Sequence, residues 1–130
     1  MHDEFPADLK QFVEFYIESV PQLEALLLLR ANPVRRWQAI DVAKSLYIPE
    51  NIAVSLLADF VRRGFAVLEP AANPGYLYRS RDAEIDRLID QLAAAYLERR
   101  VAVVSLIYSK PLHKVQTFAD AFRFGKENPT

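Results

Sequence analysis

His2 and His113 are the only imidazoles in the chain, and cysteine is absent. Nucleophilic or general acid–base catalysis needs a base within reach of a nucleophile and a third group to orient it. Both histidines fall in segments read as flexible, near the two ends, and no such set of partners accompanies either. His113 reads as a surface residue. The only glycines are Gly64, Gly75 and Gly125, so there is no glycine-rich phosphate loop. Without thiols, disulfides and thiolate metal sites are excluded, and a reducing cytoplasm is the expected location. Asp82 and Asp86 have helical spacing, but two carboxylates at a helix start are favoured there as a solvated face. The chain is therefore not expected to be an enzyme, and no cofactor or metal is expected.

The polar residues that remain are positioned by Trp37 to Arg81. Residues 37–46 place Ala39, Ile40, Ala43 and Leu46 on one face of a short helix. Tyr47-Ile48-Pro49 breaks it, because the residue before a proline is pushed out of the helical region. Pro49 suits the first turn of a second helix, to Arg63, with Ile52, Leu56, Leu57, Phe60 and Val61 on its apolar side. Arg62-Arg63-Gly64 is a helix stop with positive charge at the negative end. Residues 65–69 read as a strand, Asn73-Pro74-Gly75 as a turn, and residues 76–79 as a returning strand.

Two short helices followed by a hairpin resemble the winged helix–turn–helix of bacterial transcription regulators of the MarR-like type. The closest local likeness is residues 55–67, where a recognition helix ends in a basic pair, a glycine and an apolar strand. The resemblance covers about a third of the chain. It implies a mainly α fold with a small β-hairpin, a winged core followed by a long C-terminal helix, and binding to double-stranded DNA. On the outward face of residues 49–63 it points to Asn51 and Ser55 for base edges, with Glu50, Val54, Ala58, Asp59 and Arg62 beside them. Arg62, Arg63, Arg79 and Arg81 are the phosphate candidates, with Arg35 and Arg36 in support. Solvation, or pairing with nearby acids, explains the same arginines equally well. Glu50 and Asp59 oppose a polyanion, and the wing tip from Ala71 to Gly75 carries no cation. Tyr47 stands where the family turn usually has glycine, which leaves the angle between the helices open.

The flanking segments complete the architecture. Leu9, Phe12, Val13, Tyr16 and Ile17 give residues 6–18 an amphipathic helical pattern. Ser19 and Gln22 form a capping-box arrangement for a second helix, 21–31, which is apolar almost all round and so belongs in the interior. Residues 34–36 are expected to supply a minute strand to the hairpin, and Trp37 a core anchor. Residues 81–108 read as one long helix, with a buried strand as the alternative for 101–108. So long a helix needs more surface than a small winged core offers, and a homodimer is the usual solution. Residues 114–124 read as a short amphipathic helix with Phe118, Phe122 and Phe124 on or beside one stripe. That stripe would fold back on the protein or dock into a partner's groove. Residues 125–130 read as disordered. The expected division is a winged domain with its N-terminal helix over 1–80, a dimerisation helix over 81–109 and a tail over 110–130.

Composition sets the outer limits. With 52% hydrophobic and 25% charged residues, 130 residues suffice for one globular domain with a real core. Net charge is −1, unevenly spread: residues 1–30 carry 2 basic and 6 acidic groups, and residues 110–130 carry 4 and 2. That asymmetry is not a nucleic-acid footprint. The acidic start lacks the order of a signal peptide, and no apolar run is long enough to span a bilayer. Three readings survive: a dimeric DNA-binding regulator, a winged-helix adaptor that docks a protein through its recognition face or tail, and a sensor with an apolar pocket between the long helix and the core.

Overall fold

The computed structural model describes residues 5–109. The expectations for His2, His113 and the tail, with Phe118, Phe122 and Phe124, lie outside the described residues. Within them the order is α1 (Ala7–Tyr16), α2 (Val20–Ala31), α3 (Ala39–Leu46), α4 (Glu50–Arg63), β1 (Ala66–Glu69), β2 (Gly75–Tyr78), α5 (Ala83–Glu98) and α6 (Arg100–Tyr108).

The core is one cluster centred on α2, whose Leu23, Ala25, Leu26 and Leu29 are fully buried. Helix α1 packs Leu9, Phe12 and Val13 into it, and α5 packs Ile85, Leu88, Ile89, Leu92 and Tyr96. Both sets recur at three- and four-residue intervals, so each helix buries one stripe and leaves its polar face wet. Phe12, Tyr16, Phe60 and Phe65 form an aromatic knot with tilted or edge-on rings, which seats α4 against α1. Polar straps at the rim tie α5 back to the front of the chain. Arg87 reaches Asp8 at 2.8 Å, Arg30 reaches Asp90 at 2.8 Å, and Tyr96 donates to Glu24 at 2.8 Å.

The N-cap of α2 uses Ser19 as the sequence suggests, its Oγ accepting from the Gln22 N–H at 3.2 Å. Gln22 does not close the box on Ser19. Its Oε1 accepts the Glu18 N–H at 2.5 Å instead, and the residue is buried, which leaves its amide N–H₂ for a longer-range partner.

The run over 81–108 departs from one continuous helix. Arg99 sits at φ −138°, ψ 55°, outside the helical region, and divides α5 from α6. Glu98, Arg99 and Arg100 are good helix formers, so propensity does not set the break. Tertiary contacts act there: the Arg99 guanidinium stacks 4.3 Å from the Phe5 ring centroid, and Arg100 lies 3.6 Å from Glu24. Residues 100–108 are helical, which decides against the strand alternative; Val103 and Ile107 are their buried pair.

Candidate nucleic-acid interface

Helices α3 and α4 are joined by Tyr47, Ile48 and Pro49. Tyr47 takes the left-handed conformation at φ 57°, ψ 46°, the only non-glycine residue among those described to do so. The turn is therefore the one glycine usually makes, with the steric cost carried by a tyrosine. Its side chain is 94% exposed, so core contacts do not offset that cost.

Helix α4 buries Ala53, Leu57 and Phe60, with Leu56 half-buried. This corrects the expected phase: Ile52 and Val61 are exposed, and the small Ala53 is fully buried. Positions 51, 55, 58 and 62 succeed one another by four, three and four, so Asn51, Ser55, Ala58 and Arg62 form a single outer row. All four are exposed. Glu50, Val54 and Val61 flank the row on the solvent side.

Asp59 departs from its expected outward place. Its side chain is only 16% exposed and turns toward α2, where it accepts from Gln22 Nε2 at 3.4 Å. It also accepts from Arg62, and its Oδ2 lies 2.7 Å from Arg63 Nε, an ion pair by proximity whose N–H is not aimed for a hydrogen bond. Arg63 further approaches Glu18 at 3.6 Å and donates to the Tyr16 carbonyl at 3.2 Å. Of the four arginines singled out in the sequence, these two are already held. The pairing of 59 with 62 and 63 was legible as an acid one turn before two bases; the share taken by Gln22, 37 positions away, was not.

The wing begins where Gly64 ends α4 at φ 85°. A Cβ there would lie 2.8 Å from Arg81 Cδ, so both the conformation and the close approach call for glycine. Strands β1 and β2 pair antiparallel, with Ala66 opposite Tyr78 and Glu69 opposite Gly75. The minute strand expected over 34–36 does not form; Trp37 instead makes a single isolated antiparallel bridge to Tyr76. Arg36 points at the wing, 2.7 Å from Glu69 and donating to the Asn73 carbonyl at 2.8 Å. The Arg35 guanidinium lies over the Trp37 ring, its carbon 3.7 Å from the centroid. Arg79 and Arg81 rim an open groove of about 470 Å³ between the end of α4 and the wing root, together with Val61 and Leu68. Arg81 approaches Asp82 at 3.6 Å and donates to the Tyr16 hydroxyl at 3.3 Å, whereas the Arg79 side chain has no carboxylate partner among the described residues.

Asp82 and Asp86, read as a solvated pair, each have a specific partner. Asp82 caps α5, accepting from the Ile85 N–H at 2.8 Å, and Asp86 accepts from the Tyr78 hydroxyl at 2.5 Å. Burial and the Asp86 carboxylate push the Tyr78 phenol well above its ordinary value, and burial with Glu24 raises Tyr96 likewise. Both pairs fasten α5 to the rest of the fold. Among the described residues no group of three or more His, Asp or Glu could hold a metal ion, and no described helix is long and apolar enough to cross a membrane. A cleft of about 660 Å³ does exist, but at the α5–α6 joint, lined by Phe5, Lys10, Leu97, Val101 and Leu106, and not between the long helix and the winged core.

No protein-family model and no curated protein matches the chain. A solved structure of a mutant of S. aureus MepR, a MarR-family winged-helix regulator, is similar to it with a TM-score of 0.55 at 16% identity. The likeness covers 92% of this chain and 87% of that one. At that identity it is a likeness of fold, and the chain carries a MarR-like winged helix–turn–helix fold, mainly α with one small hairpin.

Proposed function

We propose that the protein is a transcriptional regulator that binds double-stranded DNA through α4 and the wing. The observation that carries this reading is the outer row of α4. Asn51 and Ser55 stand uncovered with small Ala58 beside them, and Asp59, the carboxylate that opposed a polyanion, is drawn back against α2. Regulators like MepR bind DNA, which makes the same use of this fold reasonable here. Asn51 and Ser55 would read base edges in the major groove. Arg79, and Arg81 beside it at the wing root, would take phosphates and fix the register.

The regulator would act as a homodimer. Leu97 and Val101, at 86% and 78% exposure, stand on either side of the α5–α6 break, an apolar pair that a second copy would cover. Light scattering of the purified protein reads this directly, and a monomer at micromolar concentration would remove the dimer. A cytoplasmic location belongs to the same reading.

Fluorescence anisotropy with random-sequence duplex DNA across a salt series tests the main proposal. Micromolar binding that weakens steeply with salt, and falls further in Arg79→Ala, supports it. No binding at low salt retires it.

One observation favours a second reading, a protein-binding adaptor. Ile52, Val54 and Val61 expose apolar surface on α4 while Arg62 and Arg63 are already paired. Docking would then use that face or the tail, with Phe118, Phe122 and Phe124. Partner capture that survives Arg79→Ala and fails in Val54→Asp or Phe118→Ala would favour the adaptor.

A further inference from the structure

We infer that Asp59 is a specificity-determining residue: it holds Arg62 and Arg63 off the nucleic-acid backbone and so lowers sequence-independent affinity while leaving the base-reading row free. The inference rests on the duplex-DNA reading above and assigns a role within that same surface.

The geometry is particular to this carboxylate. Asp59 lies three and four residues before Arg62 and Arg63, so both can fold back along the helix to reach it. Exposed pairs of this kind are weak, because water screens them and the side chains lose freedom. Asp59 is not exposed in that way. Its side chain retains 16% of its surface and is anchored from behind by Gln22, which is itself 3% exposed and the only buried polar residue among those described. The Gln22 carbonyl oxygen is committed to the Glu18 N–H, so the N–H₂ is the end that faces Asp59. The carboxylate thus has a donor on α2 in addition to the two arginines. Arg63 is 20% exposed and also held by Glu18 and the Tyr16 carbonyl; Arg62, at 70%, is the one that a phosphate could compete for.

Phosphate neutralisation supplies nearly all non-specific affinity for DNA, and none of it distinguishes one sequence from another. An acid that engages two arginines at the C-terminal end of α4 therefore removes affinity that carries no information. Glu50, at the other end of the same helix, has no ion pair among the described residues and offers a control of equal charge.

The test compares the full chain with Asp59→Asn and Glu50→Gln, each titrated against random-sequence duplex from low to moderate salt. Asp59→Asn should bind about five- to tenfold more tightly at low salt, with a log–log salt slope steeper by about 0.9 for each arginine that gains a phosphate. Glu50→Gln should give a smaller rise and an unchanged slope. Arg62→Ala added to Asp59→Asn should cancel at least half of the gain. A rise from Glu50→Gln as large as that from Asp59→Asn, or a gain that survives Arg62→Ala, overturns the inference, since long-range charge alone would then explain it. Should Asp59→Asn lack a cooperative melt, Arg62→Ala in the native sequence decides: a held arginine leaves affinity within about twofold, and a tenfold loss overturns the inference. Binding by the native chain that Asp59→Asn leaves unchanged removes the inference alone. Absence of binding by both removes the DNA reading with it.

Discussion

Trp37 and Tyr76 exchange two backbone hydrogen bonds of 2.8 Å each, so the residue that leads into α3 also bridges to the second strand of the wing. The hairpin would otherwise be two strands of four residues, and so short a pair is marginal by itself in water. The indole is fully buried, and the Arg35 guanidinium lies over its face. One residue therefore ties the wing to the start of the helix pair through its backbone and anchors that junction in the core through its side chain. Trp37→Ala should cost about 3–5 kcal/mol, from lost burial and the cavity it leaves. Urea denaturation followed by circular dichroism checks this, and a loss below about 1 kcal/mol would mean that the anchor lies elsewhere.

Tyr47 has the opposite profile, being strained and solvated. Asparagine tolerates the left-handed region and, unlike glycine, adds little freedom to the unfolded chain. Tyr47→Asn should raise stability by about 0.5–1 kcal/mol, equivalent to roughly 2–4 °C in melting temperature for a domain of this size. A lower melting temperature would show that the exposed ring has a stabilising contact.

The placing of Tyr47 marks how far sequence reasoning reaches. The turn was legible from Ile48-Pro49, and so was its unusual residue, because the left-handed region is a property of the local backbone. The helices and the wing were legible for the same reason: apolar spacing, Pro49 and Gly64 act within a few residues. The phase of α4 was not. Ile52 and Val61 outweigh Ala53 in hydrophobicity, yet the small residue is the one enclosed, a choice made by packing between elements and not by local pattern. The break at Arg99 and the inward turn of Asp59 have the same origin. Phe5 lies 94 positions from Arg99, and Gln22 lies 37 from Asp59, so neither partner can be read from local pattern.

Tyr78 and Tyr96 give the fold a signature in alkali. Both phenols are raised above their ordinary value near 10, Tyr78 by burial and the Asp86 carboxylate, Tyr96 by burial and Glu24. Above about pH 10 the unfolded chain releases these protons while the folded chain keeps them, so the unfolded state binds fewer and stability falls as pH rises. Below that value both states are protonated and the contribution is fully present. The urea midpoint should therefore drop steadily above pH 10, and the drop should be shallower in Tyr78→Phe. An identical slope in that variant would show that the Tyr78–Asp86 bond is not what alkali breaks.

Arg79 and Asn51 should separate affinity from reading. Arg79 stands at the wing root without a carboxylate partner among the described residues, which leaves its charge open to a phosphate. Asn51 stands at the first turn of α4 and can offer an acceptor and two donors to a base edge. Once a preferred duplex is selected from a random pool, Arg79→Ala should weaken binding to preferred and random sequences alike and lower the salt slope by about 0.9. Asn51→Ala should leave the slope alone and cost about 1–3 kcal/mol on the preferred duplex only, narrowing the gap between it and random DNA. The two effects are orthogonal because a phosphate contact is the same at every position, whereas a bidentate base contact exists at one. If Asn51→Ala weakened both duplexes equally, α4 would be lying along the backbone with its outer row out of the groove. The docking would then have to be rebuilt around the wing.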